Sequence, residues 1–258
     1  PADCESMTDL NFGFHRRDSS NALRRSGVRG HFFGQSSFAT HVLATERNLV
    51  KVPKTLPLEI LAPLGCGMQT GAGTVMNSLK VPAGASIAVF GTGAVGLAAV
   101  MAARIAGAHP IIGVDRVPER LRLARELGAT HVIDTRRDGV TDRIREITGS
   151  GVDYVVESSG NQRLYRLAVV LLNPKGTAAY LAGVEGPDPL PEGRRAVSVI
   201  QGDAVPQVFI PKLIELHRRG LFPFERLERH YDFQHINRAI ADARCGRTVK
   251  PVVRVCEG

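Results

Sequence analysis

The chain has 258 residues, of which 43% are hydrophobic and 22% are charged, a composition that excludes wholesale disorder and a small disulfide-stapled fold. Its net charge of +8 comes from scattered basic residues, and it has no Trp and only four Tyr as stacking platforms, so we expect no nucleic-acid partner. The longest apolar stretch, residues 94–103, is interrupted by Gly96 and is shorter than the roughly 18 residues of a membrane span, so we expect no membrane partner.

The first patterned segment, residues 31–53, alternates apolar and polar positions and is rich in residues that favour strands. This alternation is typical of antiparallel strands with one packed face and one solvated face. Because such strands lie outside a parallel sheet, the segment predicts a second domain beside the one that follows.

Residues 86–200 alternate strand and helix patterns at short spacing, as βαβ units do. Six strands are predicted, at residues 86–90, 110–115, 131–134, 152–157, 176–182 and 197–200. Helices are predicted at 94–106, at 141–148, at 162–172 and between Asp115 and Gly128, the last with a buried face of Leu121, Ala124 and Leu127. The predicted fold class is therefore α/β, with a doubly wound parallel sheet.

Apolar residues recur at helical spacing near the C-terminus, at Phe233, Ile236, Ile240 and Ala243. We expect a helix there that Asp232 caps and Gly246 closes, followed by a strand at 251–255. This helix and strand predict that the chain returns to the first domain.

A glycine-rich turn, residues 91–96 (GTGAVG), follows the first strand of the predicted sheet and opens the next helix. It matches the pattern G-x-G-x-x-G, and Asp115 follows 19 residues later at the end of the second strand. A strand, a glycine turn, a helix and an acid at this spacing together are the context of a dinucleotide-binding site.

Each residue of the turn has a separate physical reason to be there. Gly91 permits a tight turn, Gly93 allows close approach of a pyrophosphate, and Gly96 allows the helix to pack closely on the strand. Ala94 and Val95 open the helix, where unpaired N–H groups and the helix dipole favour an anion. We therefore predict that the phosphates of a dinucleotide lie at this helix end.

Asp115 is predicted to accept hydrogen bonds from the adenosine ribose and to repel a 2′-phosphate, which favours NAD over NADP. Arg116, next in sequence, favours the opposite choice because an arginine accommodates a 2′-phosphate. The alternative is a doubly wound fold whose glycine turn binds nothing. We predict that NAD is the cofactor and that both residues contact it.

Two further stretches accompany the turn: residues 64–73 (LGCGMQTGAG) and residues 32–53 (FFGQSSFATHVLATERNLVKVP). Residues 64–73, the glycine turn and the VDR strand end at 114–116 follow one another along the chain as they do in the zinc-dependent medium-chain alcohol dehydrogenases, which the chain resembles. The earlier stretch is most similar to their aryl-alcohol (benzyl-alcohol) dehydrogenase branch. The resemblance extends from about residue 4 to the terminal KPVVRV.

The resemblance implies three parts. Residues 1–60 would be the C-terminal part of a GroES-like, β-rich catalytic domain, residues 61–210 an NAD-binding Rossmann domain, and residues 211–258 a helix and strand that return to the catalytic domain. Members of the family begin with roughly another hundred residues. Because this chain begins at Pro1 without a Met, we expect it to lack the N-terminal part of the catalytic domain.

The resemblance also implies that Cys66 is one ligand of a catalytic zinc, since a thiolate binds zinc well and such a site has three protein ligands. The other two ligands, a Cys and a His, would precede Pro1, so we expect the site to be incomplete. Cys4 resembles the last of four structural-zinc cysteines whose partners would also be absent, so no structural zinc is expected. The alternative is that Cys66 is a small residue between two glycines.

Four further residues carry roles by resemblance. Thr70 would pack on the nicotinamide, Arg120 would lie near the adenosine ribose, Val184 would contact the carboxamide through its backbone, and Lys250 would reach the pyrophosphate. Arg120 and Lys250 could instead be solvated surface charges, and Thr70 a helix cap.

The function implied is NAD-dependent oxidation of a primary, aromatic alcohol to an aldehyde by zinc-assisted hydride transfer. The implied partners are a small alcohol or aldehyde and further copies of the chain, in a homodimer or homotetramer paired near residues 197–202. Four widely spaced cysteines without a signal sequence indicate a reducing, cytoplasmic setting. An inactive NAD(H)-binding fragment and a zinc-free reductase are the alternatives, and we expect negligible turnover if the chain is complete.

Overall fold

The structure, a computed structural model, describes residues 5–16, 20, 30, 38–42, 44–181 and 190–255. None of the helices in these ranges is long and apolar enough to cross a membrane. Nine α-helices are present in the described ranges: α1 Met7–Phe12, α2 Leu58–Leu61, α3 Gly67–Gly73, α4 Ala94–Ala106, α5 Pro118–Leu127, α6 Val140–Thr148, α7 Gln162–Val170, α8 Pro206–Arg218 and α9 Ile236–Arg244.

Six strands form a parallel sheet: β1 Ile87–Phe90, β2 Ile111–Asp115, β3 His131–Asp134, β4 Val152–Glu157, β5 Leu172–Tyr180 and β6 Arg195–Ser198. Their spatial order is β3-β2-β1-β4-β5-β6. This is the order of a doubly wound Rossmann sheet, with its switch point between β1 and β4. The predicted fold class is confirmed.

Two apolar cores lie on opposite faces of the sheet, because successive strand side chains point to opposite sides. From β1, Ile87 and Val89 pack into the core that also contains α4 and α8. Ala88 and Phe90 pack into the other core, together with α6 and α7. All four side chains are fully buried, so β1 lies at the centre of the domain and its C-terminal end is rigidly placed.

Several predicted elements are confirmed to within a residue or two, among them α4, α5, α6 and the first four strands. The predicted face of α5, at Leu121, Ala124 and Leu127, is buried. The fifth strand begins earlier than predicted, at Leu172, because the turn-like residues 173–176 form an irregularity inside β5. There the pairing with β4 shifts register between Val152 and Tyr154.

The predicted antiparallel strands at 31–53 are wrong in the described part of that segment. Residues 38–42 and 44–53 contain no strand, only the 3-10 helix Glu46–Asn48. Alternating residues form a strand only where a neighbouring backbone completes the ladder. Here the segment is held differently: Gln207 of α8 donates through Nε2 to the carbonyl oxygen of Arg47 at 2.8 Å.

The C-terminal elements differ from the prediction in which face they bury. A 3-10 helix, Phe233–His235, precedes α9, and Asp232 makes no capping hydrogen bond. Phe233 and Ile240 are exposed, whereas Asp242 is buried. The burial of Asp242 is possible because its carboxylate accepts a hydrogen bond from the Tyr231 hydroxyl at 3.0 Å and pairs with Arg247 at 2.8 Å.

Strand β7, Glu228–Asp232, pairs in parallel with β8, Lys250–Arg254, as a separate two-stranded sheet. Helix α8 crosses position 210 and packs into the core beside α4. The division of the chain at 60 and 210 remains a prediction.

Candidate functional site

The glycine turn lies at the switch point of the sheet, where β1 ends beside β4. Gly91 has a φ of +84°, and a Cβ there would lie 2.8 Å from the backbone nitrogen of Ser159. A Cβ at Gly96 would overlap the carbonyl oxygen of Gly91. Both glycines are therefore required by the protein's own packing, as the sequence predicted.

Gly93 is different, because a Cβ there would meet nothing within 4 Å. It is the N-cap residue of α4, and no side chain caps the helix. The first-turn N–H groups of Ala94 and Val95 consequently have no side-chain cap, and they lie next to Gly93 at the positive end of the helix dipole. The surroundings of Gly93 can accept a phosphate.

Asp115 ends β2 and is buried. One carboxylate oxygen, Oδ2, accepts from the backbone N–H of Thr92 at 2.7 Å and from its hydroxyl at 3.0 Å. The other, Oδ1, accepts from the backbone N–H groups of Arg116 and Val117 at 2.7 and 3.0 Å. These four bonds match the roughly four acceptor positions of a carboxylate. Asp115 therefore ties the turn to β2.

Two basic side chains flank Asp115. Arg116 is exposed, and Arg120 stands one turn further on in α5. The Nε atom of Arg120 is buried and has no hydrogen-bond partner among the described residues. A Cβ added at Gly246 would lie 3.8 Å from Nη2 of Arg120. A buried donor without an acceptor is costly, so this position fits a polar ligand group.

Helix α3 brings the predicted catalytic residues beside the turn. A Cβ at Gly71 would overlap the carbonyl oxygen of Val95, so α3 packs directly on the start of α4. Cys66 is the exposed N-cap residue of α3, and Thr70 lies one turn into the helix. Thr70 is therefore not a helix cap, and its backbone N–H bonds to the carbonyl of Cys66 at 2.9 Å.

A catalytic zinc is not supported by the residues that the structure describes. In the described ranges no three His, Cys, Asp or Glu side chains come together in a group that could hold a metal. Cys66 offers one thiolate, whereas a catalytic zinc has three protein ligands. The donor set in the described ranges therefore does not fit zinc.

The other predicted residues are placed less favourably. Lys250 begins β8 and pairs with Glu228 of β7, and its charge opposes the rise in the pKa of Glu228. Val184, Cys4 and Cys256 lie outside the described residues. Cys245 is a free, exposed thiol.

Glu157, which the sequence analysis missed, completes the wall of the turn. It ends β4, is fully buried, and accepts hydrogen bonds from Ser159, through both its backbone N–H and its hydroxyl, and from the Gly160 N–H. Burial raises the pKa of Glu157, while these hydrogen bonds oppose the rise. Ser158 donates to the carbonyl of Gly91 at 2.8 Å. The sequence contains a signal for Glu157, because this acid ends the predicted strand 152–157 as Asp115 ends the predicted strand 110–115.

A doubly wound sheet with a glycine turn at its switch point defines the Rossmann class of α/β proteins. Within the chain, residues 94–205 match the family described as zinc-binding dehydrogenase. A geraniol dehydrogenase from Castellaniella defragrans is 41% identical over 266 residues, covering 98% of this chain and 71% of that protein.

Solved structures give the same relationship. An alcohol dehydrogenase zinc-binding domain protein from Burkholderia ambifaria has a TM-score of 0.91 and 48% identity, covering 98% of this chain and 72% of that one. Benzyl alcohol dehydrogenase from Acinetobacter calcoaceticus has a TM-score of 0.92 and 41% identity, covering 99% of this chain and 72% of that one. The chain belongs to the zinc-binding alcohol dehydrogenase family of oxidoreductases.

Proposed function

We propose that the chain binds NAD(H) at the turn formed by residues 91–96. The observation that carries this proposal is the contrast between Gly91 and Gly96, which are packed against protein, and Gly93, which faces open space. Only the middle glycine is left for a ligand to approach. The N–H groups at the start of α4 would hold the diphosphate, because they are unpaired and lie at the positive end of the helix.

The adenosine end would lie over Asp115 and Arg120. The carboxylate of Asp115 can accept a ribose hydroxyl when the Thr92 hydroxyl, its one side-chain donor, rotates away. The negative charge of Asp115 would disfavour a 2′-phosphate, and NAD is therefore preferred over NADP. A ribose oxygen would accept a hydrogen bond from the unpartnered Nε of Arg120.

The reaction proposed is oxidation of a primary aromatic alcohol to its aldehyde. NAD⁺, when bound, would supply the acceptor for the hydride that leaves the alcohol carbon, and the hydroxyl proton would pass to solvent. Thr70, in the helix α3 that packs on the start of α4, would support the nicotinamide ring. The aromatic preference is supported by similarity to a benzyl alcohol dehydrogenase. The rate of NADH formation tests this preference, because benzyl alcohol should react faster than cyclohexylmethanol. Equal, measurable rates with the two alcohols would contradict it.

Substitution of Gly93 by Ala tests coenzyme binding directly. The φ of −76° at Gly93 suits any residue and its Cβ direction is empty, so the variant is expected to melt like the parent. The added methyl would occupy the space where the diphosphate approaches, and the Kd for NADH should rise roughly tenfold or more. Titration by NADH fluorescence measures this.

The matched control is Gly65→Ala, because Gly65 also has an open Cβ direction but lies before α3, outside the turn. Its affinity for NADH should equal that of the parent. Unchanged NADH affinity in Gly93→Ala would show that the coenzyme does not bind at the turn.

We propose further that copies of the chain associate through β6. This strand is at the edge of the sheet, and Val197 and Ile200 are each 37% exposed. An unpaired strand edge is a template for pairing with a second copy. Sedimentation of the parent and of Val197→Lys tests the proposal; a monomeric parent would refute it.

A further inference from the structure

A cavity of about 350 Å³ lies on the side of the domain away from the glycine turn. It is bounded by the loop after the π-helical turn Thr74–Ser78, by the last turn of α4 and by the middle of α8. The last turn of α4 is about 18 Å along the helix axis from its first residue. The cavity is therefore separate from the proposed coenzyme site.

The floor of the cavity is aliphatic. Its apolar lining includes side chains that also pack against the buried core: Met76, Val81, Ile105 and Leu216. Its volume is at the lower end of the range for small-molecule sites, which are mostly apolar with a few polar groups. A floor of this kind would bury a short hydrocarbon chain.

Two exposed lysines, Lys80 and Lys212, line the same cavity. Among the described residues, neither lysine forms an ion pair with an acid. The Nζ atom of Lys212 lies 5.8 Å from the centroid of the Phe209 ring. Lys80 has a φ of +48°, a left-handed conformation in which glycine is usual after a helix. A lysine is therefore kept at a position where its backbone conformation is unfavourable, and its side chain lines the cavity.

We propose that this cavity binds a small aliphatic monocarboxylate. The hydrocarbon would lie on the aliphatic floor, and the carboxylate would pair with the ammonium groups of Lys80 and Lys212. The two ammonium charges favour an anion, and the aliphatic floor favours an anion that carries a hydrocarbon chain, as an aliphatic monocarboxylate does. An uncharged or cationic molecule would leave both lysines without a counter-charge.

Octanoate is the probe, titrated into the 15N-labelled full chain and followed by amide chemical shifts. Saturable shifts are expected at residues 76–81 and 105–106, and not at residues 91–96. Acetate, which has only the charged group, and octylamine, which has the opposite charge, should not produce them. Equal binding of octylamine, or shifts confined to the turn, would overturn the proposal.

The double variant Lys80→Met, Lys212→Met should have a Kd for octanoate that is roughly tenfold higher than that of the parent, or more. The matched control is Lys175→Met, because Lys175 also has a positive φ, of +68°, and lies outside the cavity lining. Lys80→Gly separates binding from folding, since it relieves the backbone and should melt no lower than the parent while binding octanoate more weakly. Parental affinity in both Lys80 variants would refute the assignment.

Discussion

At the scale of single residues, the site depends on which polar atoms are already satisfied. The backbone N–H groups of Thr92, Arg116 and Val117 all point at the Asp115 carboxylate, so this side chain organises the turn before any ligand arrives. Arg120 is in the opposite condition, with a buried Nε that lacks an acceptor. Asp115 explains the shape of the site, and Arg120 indicates where a polar group of the ligand would be stabilised.

Asp115→Asn should therefore destabilise the protein even without coenzyme. An amide replaces one acceptor oxygen by an NH₂ donor, which must face N–H donors on either side, at a cost of about 1–3 kcal/mol. Urea unfolding without NADH measures the change. Glu119→Gln, which removes the same charge from an exposed side chain of α5, should unfold like the parent. Equal stability of the two variants would show that the Asp115 hydrogen bonds do not hold the turn.

At the scale of elements, the start of a helix depends on hydrogen bonds to its first N–H groups. Helix α7 begins at Asn161, whose side-chain oxygen accepts from the N–H groups of Arg163 and Leu164 at 3.0 and 3.1 Å. Such a cap satisfies two of the four unpaired donors at a helix start. Because α7 connects β4 to β5, its start also fixes the loop at 158–160 that lines the glycine turn.

Asn161→Ala should lower the free energy of unfolding by about 1 kcal/mol. For a domain of this size the melting temperature should fall by roughly 2–4 °C. Arg163→Ala is the control, because it keeps the backbone N–H that the cap satisfies and removes only an exposed side chain. Equal melting of both variants would mean that the cap contributes nothing.

At the scale of the whole molecule, acids from separate parts of the chain, Glu59, Glu225 and Glu228, influence one another at the β7–β8 sheet. Glu228 has a side chain that is 1% exposed, and its Oε2 lies 3.1 Å from Nε2 of His230. Burial raises the pKa of Glu228 to about 7; the charges of Glu225 and Glu59 add to the rise, and Lys250 opposes it. The folded state therefore favours the protonated carboxyl.

Glu228→Gln should stabilise the protein in a pH-dependent way. In the parent, the folded pKa lies above the ordinary value of 4.5, so stability is fully present below pH 4.5 and is lost as pH rises through about 7. The variant lacks this loss, so its free energy of unfolding should exceed that of the parent by about 3 kcal/mol above pH 7, with little difference near pH 4.5.

Urea unfolding at several pH values measures the difference. Glu215→Gln, an exposed position on α8, should track the parent throughout. A constant difference between Glu228→Gln and the parent at every pH would contradict the assignment.

Much of the sheet domain and of the turn followed from sequence because its determinants are local. Period-2 and period-3.6 patterns locate β1, α4, β2 and α5, and the spacing from Gly96 to Asp115 follows from those lengths. The strand prediction failed at residues 38–42 and 44–53, the described part of its segment, for the opposite reason, since a strand requires a neighbour that no local pattern specifies. The apolar stripe of α9 failed because Tyr231 and Arg247 made burial of Asp242 favourable.

By itself, the sequence determined the α/β fold class, the glycine turn and the acid at the end of the second strand, since each rests on backbone sterics and short-range periodicity. Only the tertiary structure decided that Asp115 is already fully bonded, that Ser158 and Ser159 meet Gly91, and that Lys80 and Lys212 line one cavity. These contacts join residues far apart in the chain, and which of them form is fixed by how whole elements pack, a property that no short stretch of sequence contains.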